Sequence, residues 1–163
     1  KFGLGYLSQE SSIFSDLSVE NNLYGIVELS TTDSQETSKI VTKLIDDFGL
    51  SKILNVKGRM LSGGQRRKVE IARTLISSPN LILLDEPFAG IDPIAVEEIK
   101  ELLKEISKKH ISILITDHNV RETLSLCDRA IILVDGNIIA DGTEKQLKEN
   151  EYVGQKYFGK MFS

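Results

Sequence analysis

Residues 79–93 read PNLILLDEPFAGIDP, and the fold is decided there. Four apolar residues, Leu81 to Leu84, follow Pro79 and run straight into two carboxylates, Asp85 and Glu86. An unbroken apolar run of this kind predicts a strand buried on both faces, as in a parallel sheet. Asp92-Pro93 then opens a helix, with Asp as N-cap and Pro at the first position. Ala95, Ile99, Leu102, Leu103 and Ile106 recur behind it at helical spacing. Residues 111–116 predict a second buried strand and residues 119–127 a short helix. Residues 130–134 and 138–140 predict a hairpin closed by Asp135-Gly136. Alternation of strand and helix argues for a parallel sheet covered by helices. Ligands of such sheets bind outside the carboxyl ends of the strands. Asp85, Glu86, Asp117 and His118 all fall at such ends.

Upstream, the chain is mostly helical. Residues 1–8 predict a short strand running into a loop at Gln9. Val19, Leu23, Ile26 and Val27 predict a helix over 18–27, and the wholly polar residues 30–38 a loop. Asp33, with Glu36 three residues on, resembles a capping box. Ile40, Val41, Leu44, Ile45 and Phe48 continue a helix that Gly49 ends. Val69, Ala72, Leu75 and Ile76 mark another helix from Gly64. The tail from Thr143 predicts two short helices.

Composition narrows the classes. The 163 residues carry 20 Lys and Arg against 24 Asp and Glu, a net charge of −4 that argues against a nucleic-acid binder held by bulk charge. Cys127 is the one cysteine, so an internal disulfide is impossible. No apolar run approaches the ~18 residues of a membrane-spanning helix, and no signal-peptide pattern opens the chain. A chain that begins at Lys1, just ahead of an apolar run, is expected to be cut from a longer one.

Three groups could carry chemistry. Asp85 could hold Mg²⁺ while Glu86 orients and polarises an attacking water. Taken alone, acidic residues at a strand end are more often loop carboxylates. His118 gains meaning if its strand neighbours the one ending in Glu86, and the intervening helix predicts that adjacency. Leu61-Ser62-Gly63-Gly64-Gln65 places a hydroxyl and bare backbone N–H groups at a helix N-terminus, the arrangement of a phosphate site. Plain helix capping accounts for those residues equally well. Arg66-Arg67-Lys68 oppose the helix dipole, so helix stability does not explain them. As a charge run they are expected to face solvent, or else to help attract anions, with no specific role assigned. Gly154 to Lys160 matches GxxxxGK, but Met161 stands where Ser or Thr is needed and no strand precedes it, so the match is chance.

Together these segments resemble the ATPase domain of ABC transporters. Gln9 resembles the Q-loop glutamine, LSGGQ at 61–65 the family signature, and LILLDE at 81–86 the Walker B strand. Residues 89–92 (AGID) resemble the D-loop, and His118 the switch histidine. Five motifs in register make the resemblance specific. Within the family, GYLSQESSIFSDLSVENNL, LLDEPFAGIDPI, LITDHNVRETL and YFGKMF are similar to ATPases of lipopolysaccharide exporters. Branched-chain amino-acid importers, and non-transport ABC proteins acting as switches, are the alternatives.

The resemblance implies an α/β fold: part of a P-loop NTPase-type domain, with a mostly parallel sheet flanked by helices and a helical subdomain. Residues 1–9 would end a core strand and enter the Q-loop, and 10–77 would form the helical subdomain. Residues 78–142 would form the C-terminal part of the core, and 143–163 a helical tail. It implies ATP and Mg²⁺, with Glu86 as general base and His118 and Gln9 as catalytic partners. Asp85 and Gln9 would serve the metal. Ser62, Gly63, Gly64 and Gln65 would reach the nucleotide of a second subunit, and Asp92 would lie at the dimer seam. Ile13 and Phe14 would line a groove for the membrane partner, although composition alone places them in the core. The implied assembly is a homodimer bound to transmembrane permease subunits, without nucleic acid, on the cytoplasmic face of the inner membrane. No Walker A loop lies in these residues, so alone they are expected to be inactive.

Overall fold

The computed structural model describes residues 3–29, 33–150 and 153. Backbone contacts divide the chain into two compact units, 1–116 and 117–163.

The first unit is built on a three-stranded parallel sheet. Its strands are β1 (Leu4–Leu7), β2 (Leu81–Asp85) and β3 (Ser112–Thr116), in that spatial order. Leu7 is in register with Leu84, Leu84 with Ile115, and Asp85 with Thr116. The strand that ends before His118 therefore pairs with the one that leads to Glu86, as expected. Among the described residues this unit has four α-helices: α1 (Val19–Val27), α2 (Ser34–Asp47), α3 (Gly63–Leu75) and α4 (Pro93–Ser107).

The helices start and stop for local reasons. Asp33 accepts the backbone N–H groups of Gln35 and Glu36, so α2 begins inside the stretch 30–38 expected to be loop. Capping outweighs polarity there, because a polar run can still be the first, solvent-facing turn of a helix. Gly49, with φ of +61°, ends α2 as expected. Asp92 accepts the N–H of Ala95 at 3.0 Å, and Pro93 occupies the first helical position of α4.

Leu7, Ile82 and Leu84 on one sheet face are buried together with Val69, Ile71, Ala72, Ile99, Leu103 and Ile106 from the helices. Burying each of the Leu, Ile and Val side chains stabilises the fold by roughly 1.5–3 kcal/mol. Gly5 lets α3 approach β1, since a Cβ there would lie 2.5 Å from Thr74 Cγ2. Within these 163 residues the opposite face departs from the expectation of strands buried on both sides. Leu4, Tyr6 and Leu114 are 49%, 60% and 56% exposed, so that face is open. An apolar run states that both faces are apolar; it does not supply the layer that would cover the second.

The second unit holds α5 (Val120–Leu124), the antiparallel pair β4 (Ala130–Val134) and β5 (Asn137–Gly142), and α6 (Glu144–Glu149). Asp135 and Gly136 both have positive φ, 50° and 77°, as a tight two-residue hairpin turn requires. Leu124, Leu147 and Val153 form its small core. The GxxxxGK match, the second tail helix and YFGKMF lie outside the described residues. Among the described residues, no helix is long and apolar enough to cross a membrane.

Candidate functional site

The carboxyl end of β2 is where the candidate residues of the first unit gather. The Thr116 hydroxyl, one strand over, donates to Asp85 Oδ1 at 2.6 Å. Glu86 extends the pairing by one step, its N–H donating to the Thr116 carbonyl at 2.8 Å. Its backbone then turns left-handed, with φ of +44°. A residue with a Cβ rarely holds that conformation unless its surroundings impose it. Gln9, 77 residues away in sequence and just past β1, donates through Nε2 to Glu86 Oε2 at 2.9 Å. The parallel pairing of β1 with β2 carries Gln9 to this strand end.

A second layer of this site was missed by the reading of the sequence. Arg67 is buried, not solvated: its side chain is 7% exposed and that of Glu70 3%. Arg67 Nη1 donates to the Ser8 carbonyl at 3.1 Å and to Glu70 Oε2 at 3.3 Å, and Nη2 donates to the Glu86 carbonyl at 3.2 Å. Glu70 Oε1 accepts from the Ser11 hydroxyl at 2.6 Å and the Ser12 N–H at 3.1 Å. Neighbouring Arg66 is half-buried, and Lys68 pairs with Glu98 at 2.6 Å. The expectation of a solvated charge run therefore fails for Arg67. The available signal was spacing: charges at 67, 70 and 73 share one helix face.

At the start of α3, Ser62 and Gln65 form a reciprocal capping box. The Ser62 hydroxyl accepts the Gln65 N–H at 3.2 Å, and Gln65 Oε1 accepts the Ser62 N–H at 3.1 Å. Capping is thus observed, and the Ser62 hydroxyl proton remains able to donate. Gly64 is buried, and a Cβ there would meet the Ala95 Cβ at 2.4 Å. Gly63 is exposed, and a Cβ on it would lie 3.3 Å from the Gly90 carbonyl. The glycines accordingly bring α3 against α4 and against the loop before Asp92.

Phe14 is 46% exposed and therefore not core, and the Arg73 guanidinium sits 4.7 Å from its ring centroid. Burial pulls the Arg73 pKa below the ordinary arginine value, against the opposing Glu70 charge. Ile13 is half-buried beside Phe14. The buried amide of Asn22, another residue the sequence did not single out, accepts the Phe14 N–H and donates to the Phe14 and Ser18 carbonyls. His118 belongs to the second unit, where it is exposed with Nδ1 3.8 Å from Asp117 Oδ1.

The donors suit a magnesium ion and a triphosphate. Asp85 and Glu86 supply hard carboxylate oxygens, and Gln9 an amide oxygen opposite the nitrogen that holds Glu86. The exposed Gly63 and the Ser62 hydroxyl form a helix start that favours anions. A carboxylate held by an amide at a strand end can accept a proton from water.

A protein-family profile described as ABC transporter matches residues 1–89. The Lipopolysaccharide export system ATP-binding protein LptB of Haemophilus influenzae is 48% identical over 162 residues, 98% of this chain and 67% of its own length. LptB of Escherichia coli K12 is 44% identical, with 98% and 67% covered. Among solved structures, cbiO1 of Clostridium perfringens, part of the ABC transporter complex cbiONQ, superposes with a TM-score of 0.84 at 27% identity. It aligns over 98% of this chain and 66% of its own. The chain thus spans about two thirds of the length of the relatives it matches.

Proposed function

Because the chain belongs to the ABC transporter ATP-binding family, we propose that it is part of an ATP-hydrolysing subunit that powers export of lipopolysaccharide or a related lipid. The observation that supports hydrolysis best is the Gln9–Glu86 hydrogen bond at the carboxyl end of the sheet, with Glu86 in a left-handed backbone. The likeness to LptB over nearly the whole chain supports the lipid.

In this reading Glu86 is the general base that takes a proton from the attacking water. Gln9 orients that carboxylate through its amide nitrogen. Magnesium, which would neutralise charge on the phosphates when bound, would be held by Asp85 and the amide oxygen of Gln9. Ser62, Gly63, Gly64 and Gln65 engage the phosphates of nucleotide held by a second copy, with Asp92 at the seam between copies. His118 contacts the γ-phosphate. Ile13 and Phe14 receive a helix of the permease subunits, which places the protein on the cytoplasmic face of the inner membrane. A Walker A loop is not among these 163 residues, so hydrolysis belongs to a protein that carries them together with such a loop.

The test is Glu86→Gln in that protein. Turnover should fall ~10²–10⁴-fold, the range typical of losing a general base, while ATP binding persists. Normal hydrolysis by the variant would remove Glu86 from the role of base.

A further inference from the structure

Helix α3 carries Arg67, Glu70 and Arg73 at successive steps of three, and all three point at one stretch of chain. Arg67 holds the Ser8 carbonyl, Glu70 holds Ser11 and Ser12, and Arg73 Nη1 holds the Ser12 carbonyl at 2.7 Å while its guanidinium covers the Phe14 ring. Residues 8–14, from the foot of Gln9 to the exposed Phe14, are therefore fastened along a single polar stripe. The far end of that stripe reaches the Glu86 carbonyl.

We propose that Arg67 is a positioning residue for hydrolysis, tying the backbone of Glu86 to the Gln9 loop so that movement of residues 8–14 is transmitted to the general base. The inference rests on the ATPase reading above. Glu86 is pinned from both sides: its N–H donates to Thr116, and its carbonyl accepts from Arg67 and from the Ala89 N–H. These bonds surround a residue in the left-handed conformation, and of the three only the one from Arg67 ties it to α3. Without Arg67 the Glu86 carbonyl loses its tie to α3 and keeps only the local Ala89 N–H, so the strained residue can shift and the carboxylate moves with it. A misplacement of about 1 Å in a reacting group can slow a reaction ~10²-fold.

Stability does not account for this arrangement. A buried ion pair contributes little net stability relative to well-packed apolar residues. What a guanidinium adds is a rigid fork whose separate nitrogens reach separate acceptors. Here Nη1 and Nη2 bridge Ser8 and Glu86, carbonyls from two different segments. A lysine keeps the charge but has one nitrogen to offer. The crevice of about 90 Å³ lined by Gln9, Ser11, Gly63, Arg67, Glu70 and Gly90 lies where the Gln9 loop, α3 and the loop that follows β2 meet.

The experiment uses the protein that carries these residues together with its Walker A loop. Arg67→Lys should lower kcat about 10- to 100-fold and leave KM for ATP within roughly twofold, the pattern of a lost transition-state interaction. Glu70→Gln keeps the shape of the pair while removing its charge, and should lower kcat by at least about threefold with KM unchanged. Lys68→Met, on the same helix but paired with Glu98, should leave both constants unchanged. All are measured well below each variant's melting temperature. Parental kcat in Arg67→Lys would overturn the proposal, and so would a loss that disappears on cooling. If Arg67→Lys does not fold, parental kcat in Glu70→Gln overturns it equally. Glu86→Gln separates the two ideas: full turnover there sinks Glu86 as the general base, the premise of this inference, whereas a dead Glu86→Gln beside a fully active Arg67→Lys sinks only the role of Arg67.

Discussion

Gly64 and Gly25 lie in two helices of one unit, and alanine should act on them with opposite signs. At Gly64 a new Cβ would fall 2.4 Å from the Ala95 Cβ and 3.7 Å from its Cα. Carbon atoms in contact prefer about 3.5–4.0 Å, so about 1 Å must be opened between α3 and α4. Overpacking of that kind costs about 1–3 kcal/mol. Alanine's helix propensity returns at most ~1 kcal/mol, and less in a first turn. The middle of the first range, about 2 kcal/mol, less a return of up to ~1 kcal/mol, gives an expected net loss of about 1–2 kcal/mol. At Gly25, within α1, a Cβ meets nothing within 4 Å. Gly25→Ala should therefore stabilise by roughly 0.5–1 kcal/mol. Urea unfolding of the two variants reads both signs directly. Adding Ala95→Gly to Gly64→Ala removes the clashing methyl, so the pair should show a coupling of at least ~1 kcal/mol, beyond the few tenths expected of independent sites. If Gly64→Ala stabilises as Gly25→Ala does, α3 and α4 are not in contact there, and Gly64 is reserved for the phosphate alone.

Other expectations follow from the same geometry. Residues 1–163 purified by themselves should release no phosphate from ATP, because no Walker A lysine is present to hold the β- and γ-phosphates; turnover abolished by Glu86→Gln would refute this. Phe14→Ala should weaken co-purification with the permease subunits and leave the subunit's own ATPase nearly unchanged, since the ring is half exposed and held by Arg73. Loss of both, with a lowered melting temperature, would return Phe14 to a purely structural role. In the hairpin, the Arg129 guanidinium holds the Asp141 carboxyl below its ordinary value. A depressed carboxylate contributes stability above its unfolded-state pKa of about 3.9, and that contribution is lost as pH falls through the folded value. Carbon-detected titration should show Asp141 ionising below the usual range and returning to it in Arg129→Met. Ordinary titration in the parent would mean the pair does not form in solution.

By itself the sequence determined everything set by local chemistry. Asp33, Ser62 and Asp92 cap helices because a short polar side chain can satisfy the first free N–H groups. Gly49 and Gly136 take positive φ because no Cβ opposes it. The apolar run into Asp85 is a strand, and the alternation around it yields a parallel sheet whose carboxyl edge presents Glu86. The motif order, from Gln9 through Ser62 to His118, was sufficient for the family. Tertiary structure alone decided what depends on distant partners. Arg67 reads as one more surface charge until folding sets it against Ser8 and Glu86, 59 and 19 residues away. Asn22 looks like any helix polar residue until the loop at Phe14 and Ser18 closes over its amide. Gly64 is proposed to serve a phosphate, and only the folded chain shows that it also brings α3 against Ala95 of the neighbouring helix. The open face at Tyr6 and Leu114 is also a tertiary fact. Hydrophobicity along a strand reports which side chains could be buried, and burial itself requires another layer of atoms brought there by the rest of the fold.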